Sequence, residues 1–167
     1  EISRILKEEY QINQTAEQIL MKKNGYSDAI YSQQSQALPG AEELLRAVRA
    51  SGRRTAIASG SSLDRIQMIV DRLGWADYFD LLISSDHVNY AGKPDPAIYR
   101  YTVEKLGLAP TVCVVIEDSV NGVRSAKGAG VPCVAVIEPR WSRGDFSEAQ
   151  LQVESLLDPR LYSFLGI

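Results

Sequence analysis

The 167-residue sequence predicts an open α/β fold, a parallel sheet with helices on both faces. From residue 41 onward, segments with helical and extended patterns alternate along the chain. The extended segments are nearly continuous apolar runs, which is typical of strands that helices cover on both faces. Pro39-Gly40 marks a boundary, because this pair ends a preceding helical segment. We therefore expect two parts, residues 1–37 and residues 38–167.

The elements follow one another in a regular order. In the first part, Thr15 followed by Gln18 predicts a capping box at the start of a helix. In the second part, helices are expected at residues 41–50, 63–73, 96–106 and 120–129, and strands at residues 54–58, 79–84, 112–116 and 133–137. Residues 141–144 are expected to form a loop and residues 146–157 a weak helix. This order predicts a Rossmann-like sheet whose ligand site lies at the carboxyl ends of the strands.

Composition excludes several classes of function. The net charge of -3 and the scattered basic residues argue against a nucleic-acid partner. No apolar run approaches the roughly 20 residues that a membrane-spanning helix needs, so we expect no membrane partner. Cys113 and Cys133 each lie within an apolar run, which predicts two buried thiols and favours a reducing, cytoplasmic location.

Three polar clusters follow predicted strands at the edge where an open α/β protein binds its ligand. The first, Ser59-Gly60-Ser61-Ser62, combines hydroxyls, a glycine and a helix start, which is typical of a phosphate cradle. Ser61 or Ser62 can equally be a simple helix cap. The second, Gly92-Lys93-Pro94-Asp95-Pro96, places one lysine between prolines, so its ammonium can be aimed at an anion. Its alternative is a surface turn with a solvated lysine.

The third cluster, Glu117-Asp118-Ser119, follows the apolar run of residues 112–116. Two adjacent carboxylates at the end of a buried strand would repel each other, and desolvation would raise their pKa values unless a cation lies nearby. Mg²⁺ binds such hard oxygen ligands. A helix cap explains Asp118 or Ser119 but not the acidic pair.

These clusters, in this order and spacing, resemble those of the haloacid dehalogenase-like hydrolases, especially the subgroup containing β-phosphoglucomutase and phosphoglycolate phosphatase. The resemblance covers roughly residues 38–137. The matching stretches are Leu38-Pro39-Gly40, Ala56-Ile57-Ala58-Ser59-Gly60-Ser61, Gly92-Lys93-Pro94-Asp95-Pro96 and Ile116-Glu117-Asp118-Ser119-Val120-Asn121-Gly122, followed by Ala126, Ala129 and Gly130.

The resemblance implies a role for each cluster. Ser59 would hydrogen-bond the transferring phosphoryl group with help from the Gly60 backbone, and Lys93 would neutralise its charge. Asp118 would bind Mg²⁺, and Glu117 would be a neighbouring ligand or an acid just outside the ligand set. Residues 1–37 would be part of a helical cap that closes over the site and selects a small phosphate ester. We expect the protein to be a monomer.

One departure from the family is large. Members begin with a strand that ends in Asp-x-Asp, whose first aspartate attacks phosphorus, and no Asp-x-Asp occurs in this sequence. That strand normally lies between the strand before Ser59 and the strand before Glu117. Without it, each of these strands would keep an unpaired inner edge. We therefore expect these 167 residues to be part of a longer protein and to be inactive on their own.

Three functions remain open at this point. The first is a Mg²⁺-dependent phosphatase acting through an aspartyl-phosphate. The second is a sugar phosphomutase, although Ser62, Leu63 and Asp64 lack the lysine and asparagine that hold a second phosphate in the β-phosphoglucomutase type. The third is an inactive phosphate-binding domain. His87, the only histidine, is expected at the surface or the rim of the site.

Overall fold

The computed structural model describes residues 14, 15, 17–19, 21, 22, 35–140 and 142–167. The chain divides into two compact units, Glu1–Gln36 and Ala37–Ile167. In the first unit, the Thr15 amide donates to Gln18 Oε1 at 2.9 Å and the Gln18 amide donates to Thr15 Oγ1 at 3.1 Å. This confirms the predicted capping box. Most of the other residues predicted to be helical there, and Trp141 in the predicted loop, lie outside the described residues.

The second unit alternates helices and strands, as predicted. Its helices are α1 (Ala41–Ala50), α2 (Leu63–Leu73), α3 (Ala97–Leu106), α4 (Val120–Gly128) and α5 (Pro159–Leu165). Its strands are β1 (Ala56–Ala58), β2 (Leu81–Ile83), β3 (Val115–Glu117), β4 (Cys133–Val136) and β5 (Leu151–Val153). Short 3₁₀ turns lie at Ala76–Tyr78, Ser85–Val88 and Pro110–Val112.

All strand pairs among the described residues are parallel. β1 pairs with β2, with Ile57 opposite Leu82. In the second sheet, β4 lies between β3 and β5, and Ile116 is opposite Val134. Parallel neighbours require crossover connections, which α2 provides between β1 and β2 and α4 between β3 and β4. The predicted α/β fold class is confirmed.

The core lies on both faces of β4, because successive side chains of a strand point to opposite faces. Cys133 and Ala135 pack with residues of α3 and α4 on one face. Val134 and Val136 pack with residues of α1 and α5 on the other. This double burial accounts for the continuous apolar run that β4 shows in the sequence.

A groove separates the two sheets. In the part of the chain that the structure describes, β1 pairs only with β2 and β3 only with β4, so each has one edge without a strand partner. Both strands line a cavity of about 690 Å³. Beside it, Val112 is 69% exposed and Ile116 38% exposed, high values for apolar residues at a strand.

The predicted run of residues 112–116 is therefore less buried than expected. Residues Pro110–Val112 form a 3₁₀ turn, and β3 begins only at Val115. Cys133 is buried, as predicted, but Cys113 is only partly buried, because it lines the groove. The prediction of two buried thiols is thus correct for Cys133 and wrong for Cys113.

The predicted weak helix at residues 146–157 is wrong. This segment contains β5, which pairs in parallel with β4 and places Val153 in the core while Gln152 stays exposed. The helix comes later, at α5, where the Asp158 carboxylate accepts a hydrogen bond from the Arg160 amide at 2.9 Å and Pro159 occupies the first turn. The Asp-Pro pair was the missed signal for a helix start.

Candidate functional site

A lysine connects the carboxyl ends of the two sheets. Lys93 lies in the loop between β2 and α3, and its ammonium donates to the carbonyl oxygen of Ala58 at 3.2 Å. The same ammonium makes a short hydrogen bond and ion pair with Glu117 Oε1. Because Ala58 ends β1 and Glu117 ends β3, the structure brings the first residues after each strand to one edge.

The Lys93 loop is held by hydrogen bonds of Asp95 where it enters α3. The peptide bond between Lys93 and Pro94 is cis. Asp95 Oδ1 accepts from the Ala97 amide at 2.8 Å at the start of α3, and the Asp95 carbonyl accepts from the buried Ser125 hydroxyl of α4 at 2.7 Å. The Lys93 side chain is only 20% exposed. Its ammonium is therefore held by the protein and is not the solvated charge of a surface turn.

The Glu117 carboxylate is buried, and protein groups satisfy both of its oxygens. Oε1 accepts from Lys93 and from the Tyr99 hydroxyl. Oε2 accepts from the Ser119 hydroxyl at 3.1 Å and from the Asp118 amide at 3.2 Å. Desolvation by itself would raise the pKa of Glu117, but the Lys93 ammonium and these hydrogen bonds outweigh it and lower the pKa below its usual value.

Tyr99, on α3, contacts both members of this ion pair. Its side chain is buried, its hydroxyl donates to Glu117 Oε1, and the Lys93 ammonium lies 4.8 Å from the centre of its ring. Burial, and then the Glu117 charge, raise the pKa of the Tyr99 phenol well above its usual range, so the hydroxyl keeps its proton. Tyr99 was not predicted as a site residue, because its spacing on α3 is that of a core residue.

The start of α4 closes the other side of the Glu117 carboxylate. Ser119 is the N-cap residue, and its hydroxyl accepts from the Gly122 amide at 3.0 Å. A Cβ atom on Gly122 would lie only 1.9 Å from Glu117 Cδ. Residue 122 must therefore be glycine for the carboxylate to occupy this place.

Asp118 differs from its neighbour, because it is exposed. Mg²⁺ in proteins commonly takes one or two carboxylates and completes its coordination with water and phosphate oxygens. An exposed carboxylate such as that of Asp118 fits that donor set, whereas the Glu117 oxygens are occupied by Lys93 and its other partners. Within the described ranges, no group of three or more His, Cys, Asp and Glu residues is placed to hold a metal by itself.

The Ser59 loop follows β1. The Ser59 amide donates to the Ile83 carbonyl at 3.0 Å, and the Ser59 hydroxyl accepts from the Ser61 amide at 3.1 Å. Gly60 is exposed, and no heavy atom beyond its neighbours lies within 4 Å of the position of a Cβ there. The backbone at Gly60 is therefore open to close approach by a ligand.

The cap of α2 comes from another loop. Ser62 occupies the N-cap position without a capping hydrogen bond from its side chain, and Asp86 Oδ2 accepts from the Leu63 amide at 3.1 Å. Asp86 also accepts from the Ser84 hydroxyl at 3.0 Å. Exposed His87 belongs to the same turn, where its Nδ1 accepts from the Ser84 amide at 3.1 Å. The hydrogen bonds of His87 and Asp86 thus hold the turn after β2.

Comparison with known proteins finds one family along most of the chain. A family model described as haloacid dehalogenase-like hydrolase matches residues 3–130. The chain is 37% identical over 126 residues to the bifunctional riboflavin kinase/FMN phosphatase of Arabidopsis thaliana, covering 75% of this chain and 33% of that protein. It is 32% identical over 130 residues to hexitol phosphatase B of Escherichia coli K12, covering 77% of this chain and 58% of that protein. The chain thus spans between a third and three fifths of these relatives.

Solved structures of similar proteins share the fold. CbbY from Rhodobacter sphaeroides, in complex with phosphate, is 28% identical with a TM-score of 0.77, and the match covers 88% of this chain and 67% of that one. A HAD family hydrolase from Deinococcus radiodurans, with bound phosphate and sodium, is 26% identical with a TM-score of 0.77, covering 99% of this chain and 75% of that one. None of the helices in the described ranges is long and apolar enough to span a bilayer.

Proposed function

The chain belongs to the haloacid dehalogenase-like hydrolases, and from that membership and the geometry around Lys93 we propose that it forms part of a Mg²⁺-dependent phosphatase for a small phosphate ester. One observation carries the proposal: the Lys93 ammonium binds both the Ala58 carbonyl and the Glu117 carboxylate, and Ser59 and the exposed Asp118 directly follow these two residues in the chain. A cation, a hydroxyl and a carboxylate at one sheet edge are the groups that phosphoryl transfer requires.

Each group has a separate task in this proposal. The Lys93 ammonium and the Ser59 hydroxyl bind oxygens of the transferring phosphoryl group, and the Gly60 backbone lets that group come close. Asp118 holds Mg²⁺, which supplies charge neutralisation at the phosphoryl oxygens. Glu117 stays outside the ligand set and fixes Lys93, because its oxygens are already engaged.

We place the nucleophile, an aspartate, on a strand that lies in the groove between β1 and β3. Among the described residues β1 and β3 each have one edge without a strand partner, and both line a cavity of about 690 Å³. These observations support the placement, as does the absence of Asp-x-Asp from the sequence. The aspartate oxygen bonds to phosphorus as the bond from phosphorus to the ester oxygen breaks. Water then attacks the aspartyl-phosphate and releases inorganic phosphate, so that one difficult displacement becomes two easier ones.

The proposed substrates are phosphorylated polyols, sugars or related metabolites. The names of two relatives, hexitol phosphatase B and a kinase/FMN phosphatase, support this class. Residues 1–37 would belong to the cap that selects among these substrates.

A reducing, cytoplasmic location fits a protein that keeps Cys113 and Cys133 as free thiols.

The test is phosphate release by the protein expressed from its complete reading frame. Hexitol phosphates, sugar phosphates and FMN are assayed with Mg²⁺ and with EDTA. We expect Lys93→Met to lower turnover about 100-fold, the scale of losing one preorganised electrostatic donor. Lys105→Met is the matched control, because it removes the ammonium of a lysine on α3, and we expect it to keep normal turnover. Circular dichroism verifies that both variants fold.

Three outcomes would contradict the proposal or one part of it. Normal turnover of Lys93→Met would remove the role given to that ammonium. Isomerisation of a sugar phosphate without net phosphate release would identify a phosphomutase instead. Phosphate binding by the same protein, with neither reaction, would identify an inactive phosphate-binding domain.

A further inference from the structure

We propose that Tyr99 is a positioning residue whose hydroxyl fixes the Glu117 carboxylate and, through it, the Lys93 ammonium. The inference rests on the proposed function, because the task of Lys93 is to bind the phosphoryl group. It goes beyond that function by giving a role to a buried side chain that contacts no substrate. Its physical basis is the arrangement of partners around the carboxylate.

Each carboxylate oxygen has two of those partners, but the two pairs come from different parts of the chain. Oε2 is bound by two groups of its own chain segment, the Ser119 hydroxyl and the Asp118 amide. Oε1 is bound by two groups from elsewhere, the Lys93 ammonium and the Tyr99 hydroxyl. Tyr99 is thus the second partner of the oxygen that Lys93 uses.

The surroundings prevent the carboxylate from finding a substitute partner easily. Gly122 lies so close that even a methyl group there would collide with the carboxylate. Glu117 and Tyr99 are only 8% and 5% exposed, so bulk water has little access. Without the hydroxyl, the charge on Oε1 would be satisfied by Lys93 alone, and a buried charge that loses a hydrogen bond becomes unfavourable.

The ring and the hydroxyl of Tyr99 have separable tasks. The ring packs in the core with Ile98 and Val123 and lies beneath the Lys93 ammonium. Tyr99→Phe keeps these contacts and removes only the hydroxyl. If the hydroxyl only helped the fold, the variant would lose stability without altering the environment of the ammonium. If the hydroxyl positions Lys93, Tyr99→Phe changes both the reactivity of the Lys93 ammonium and the contribution of that ammonium to turnover.

The experiment uses the protein expressed from its complete reading frame. For Tyr99→Phe we expect kcat to fall about tenfold with KM nearly unchanged, on the scale of one hydrogen bond to a charged group. Tyr101→Phe, which removes a hydroxyl from the same helix, is the matched control and keeps the wild-type kcat. In a protein that already carries Glu117→Gln, the loss of kcat caused by Tyr99→Phe should be smaller, because the hydroxyl acts through the Glu117 carboxylate.

A second measurement does not depend on turnover. Lys93 is labelled with an amine-reactive reagent and quantified by peptide mass spectrometry, with Lys105 as internal reference. We expect Lys93 to react faster in Tyr99→Phe than in the wild type, because its carboxylate partner is no longer fixed, and at the wild-type rate in Tyr101→Phe.

The kcat values and the labelling rates test the phosphatase proposal and the positioning role of Tyr99 separately. An unchanged labelling rate and an unchanged kcat in Tyr99→Phe would overturn the positioning role, as would an equal loss of kcat in both backgrounds with unchanged labelling. If the wild-type protein releases no phosphate, the phosphatase proposal fails. The labelling rate alone then decides whether Tyr99 positions Lys93, faster labelling supporting it and unchanged labelling overturning it.

Discussion

The ammonium of Lys93 pairs with the buried carboxylate of Glu117 across two sheets that share no strand pairing among the described residues. The hydrogen bond from the same ammonium to the Ala58 carbonyl completes a link between the ends of β1 and β3. This link has a structural effect as well as the proposed chemical one, because a buried charge depends on its partner.

Lys93→Met should therefore destabilise the protein. The substitution leaves Glu117 buried without its cation, and we expect the free energy of unfolding to fall by about 3 kcal/mol. Urea unfolding followed by circular dichroism measures the loss. Adding Glu117→Gln to Lys93→Met should recover part of it, because the unpaired charge is then removed. A Lys93→Met variant as stable as the wild type would contradict the stabilising role of the ion pair between Lys93 and Glu117.

Gly122→Ala should also destabilise the protein. Its Cβ would lie 1.9 Å from Glu117 Cδ, so the carboxylate or the start of α4 must move. We expect a loss of about 2 kcal/mol, typical of overpacking at a fixed site. Gly60→Ala is the control for the general effect of the substitution, since nothing would contact its Cβ within 4 Å. Equal unfolding midpoints for the two variants would show that residue 122 tolerates a side chain.

Asp80 should make stability depend on acid pH. The Thr55 amide donates to Asp80 Oδ2 at 2.7 Å and, with weaker help from Arg49, lowers the pKa of Asp80 below its usual value of about 3.8. A lowered folded-state pKa contributes stability that is present above the unfolded-state pKa and lost as the pH falls through the folded-state pKa. Asp80→Asn should be less stable than wild type at about pH 7, and the difference should shrink below about pH 4. A pH-independent difference in unfolding free energy would contradict this prediction.

The two thiols should differ in reactivity. Burial raises the pKa of Cys133 to about 12, so we expect no alkylation by iodoacetamide without denaturant. Burial also raises the pKa of Cys113, but this residue is partly exposed in the groove and should react slowly. Peptide mass spectrometry distinguishes the two sites.

In protein from the complete reading frame, Cys113 should become protected from alkylation if a strand occupies the groove. Equal labelling of Cys113 in that protein and in residues 1–167 alone would argue against that strand.

The sequence was most informative where local chemistry determines structure. α1 follows Gly40 and α2 ends before Gly74, and both glycines adopt positive φ angles at the predicted boundaries. The strands are shorter than their apolar runs, because hydrogen bonding to a neighbour defines a strand and hydrophobicity alone does not. β3 is the clearest case, since a 3₁₀ turn replaces the first part of the predicted run.

Site residues divide in the same way. Ser59, Lys93, Glu117 and Asp118 were identified from motifs at strand ends, and the structure brings their neighbourhoods together through Lys93. Their catalytic roles stay predictions. The contacts of Tyr99 and Gly122 with the Glu117 carboxylate could not be predicted, because they depend on where the fold places that carboxylate. A tyrosine with core spacing and a glycine in a helix give no local signal for such a contact.

The capping of α2 by Asp86 frees position 62 from the task of capping this helix. Because the Leu63 amide is satisfied from the loop after β2, the start of this helix does not require a hydroxyl at position 62. A change of side chain at position 62 therefore leaves the hydrogen bond to the first turn of α2 in place. The loops after β1 and β2 instead depend on each other, because Asp86 in one loop caps the helix that begins in the other.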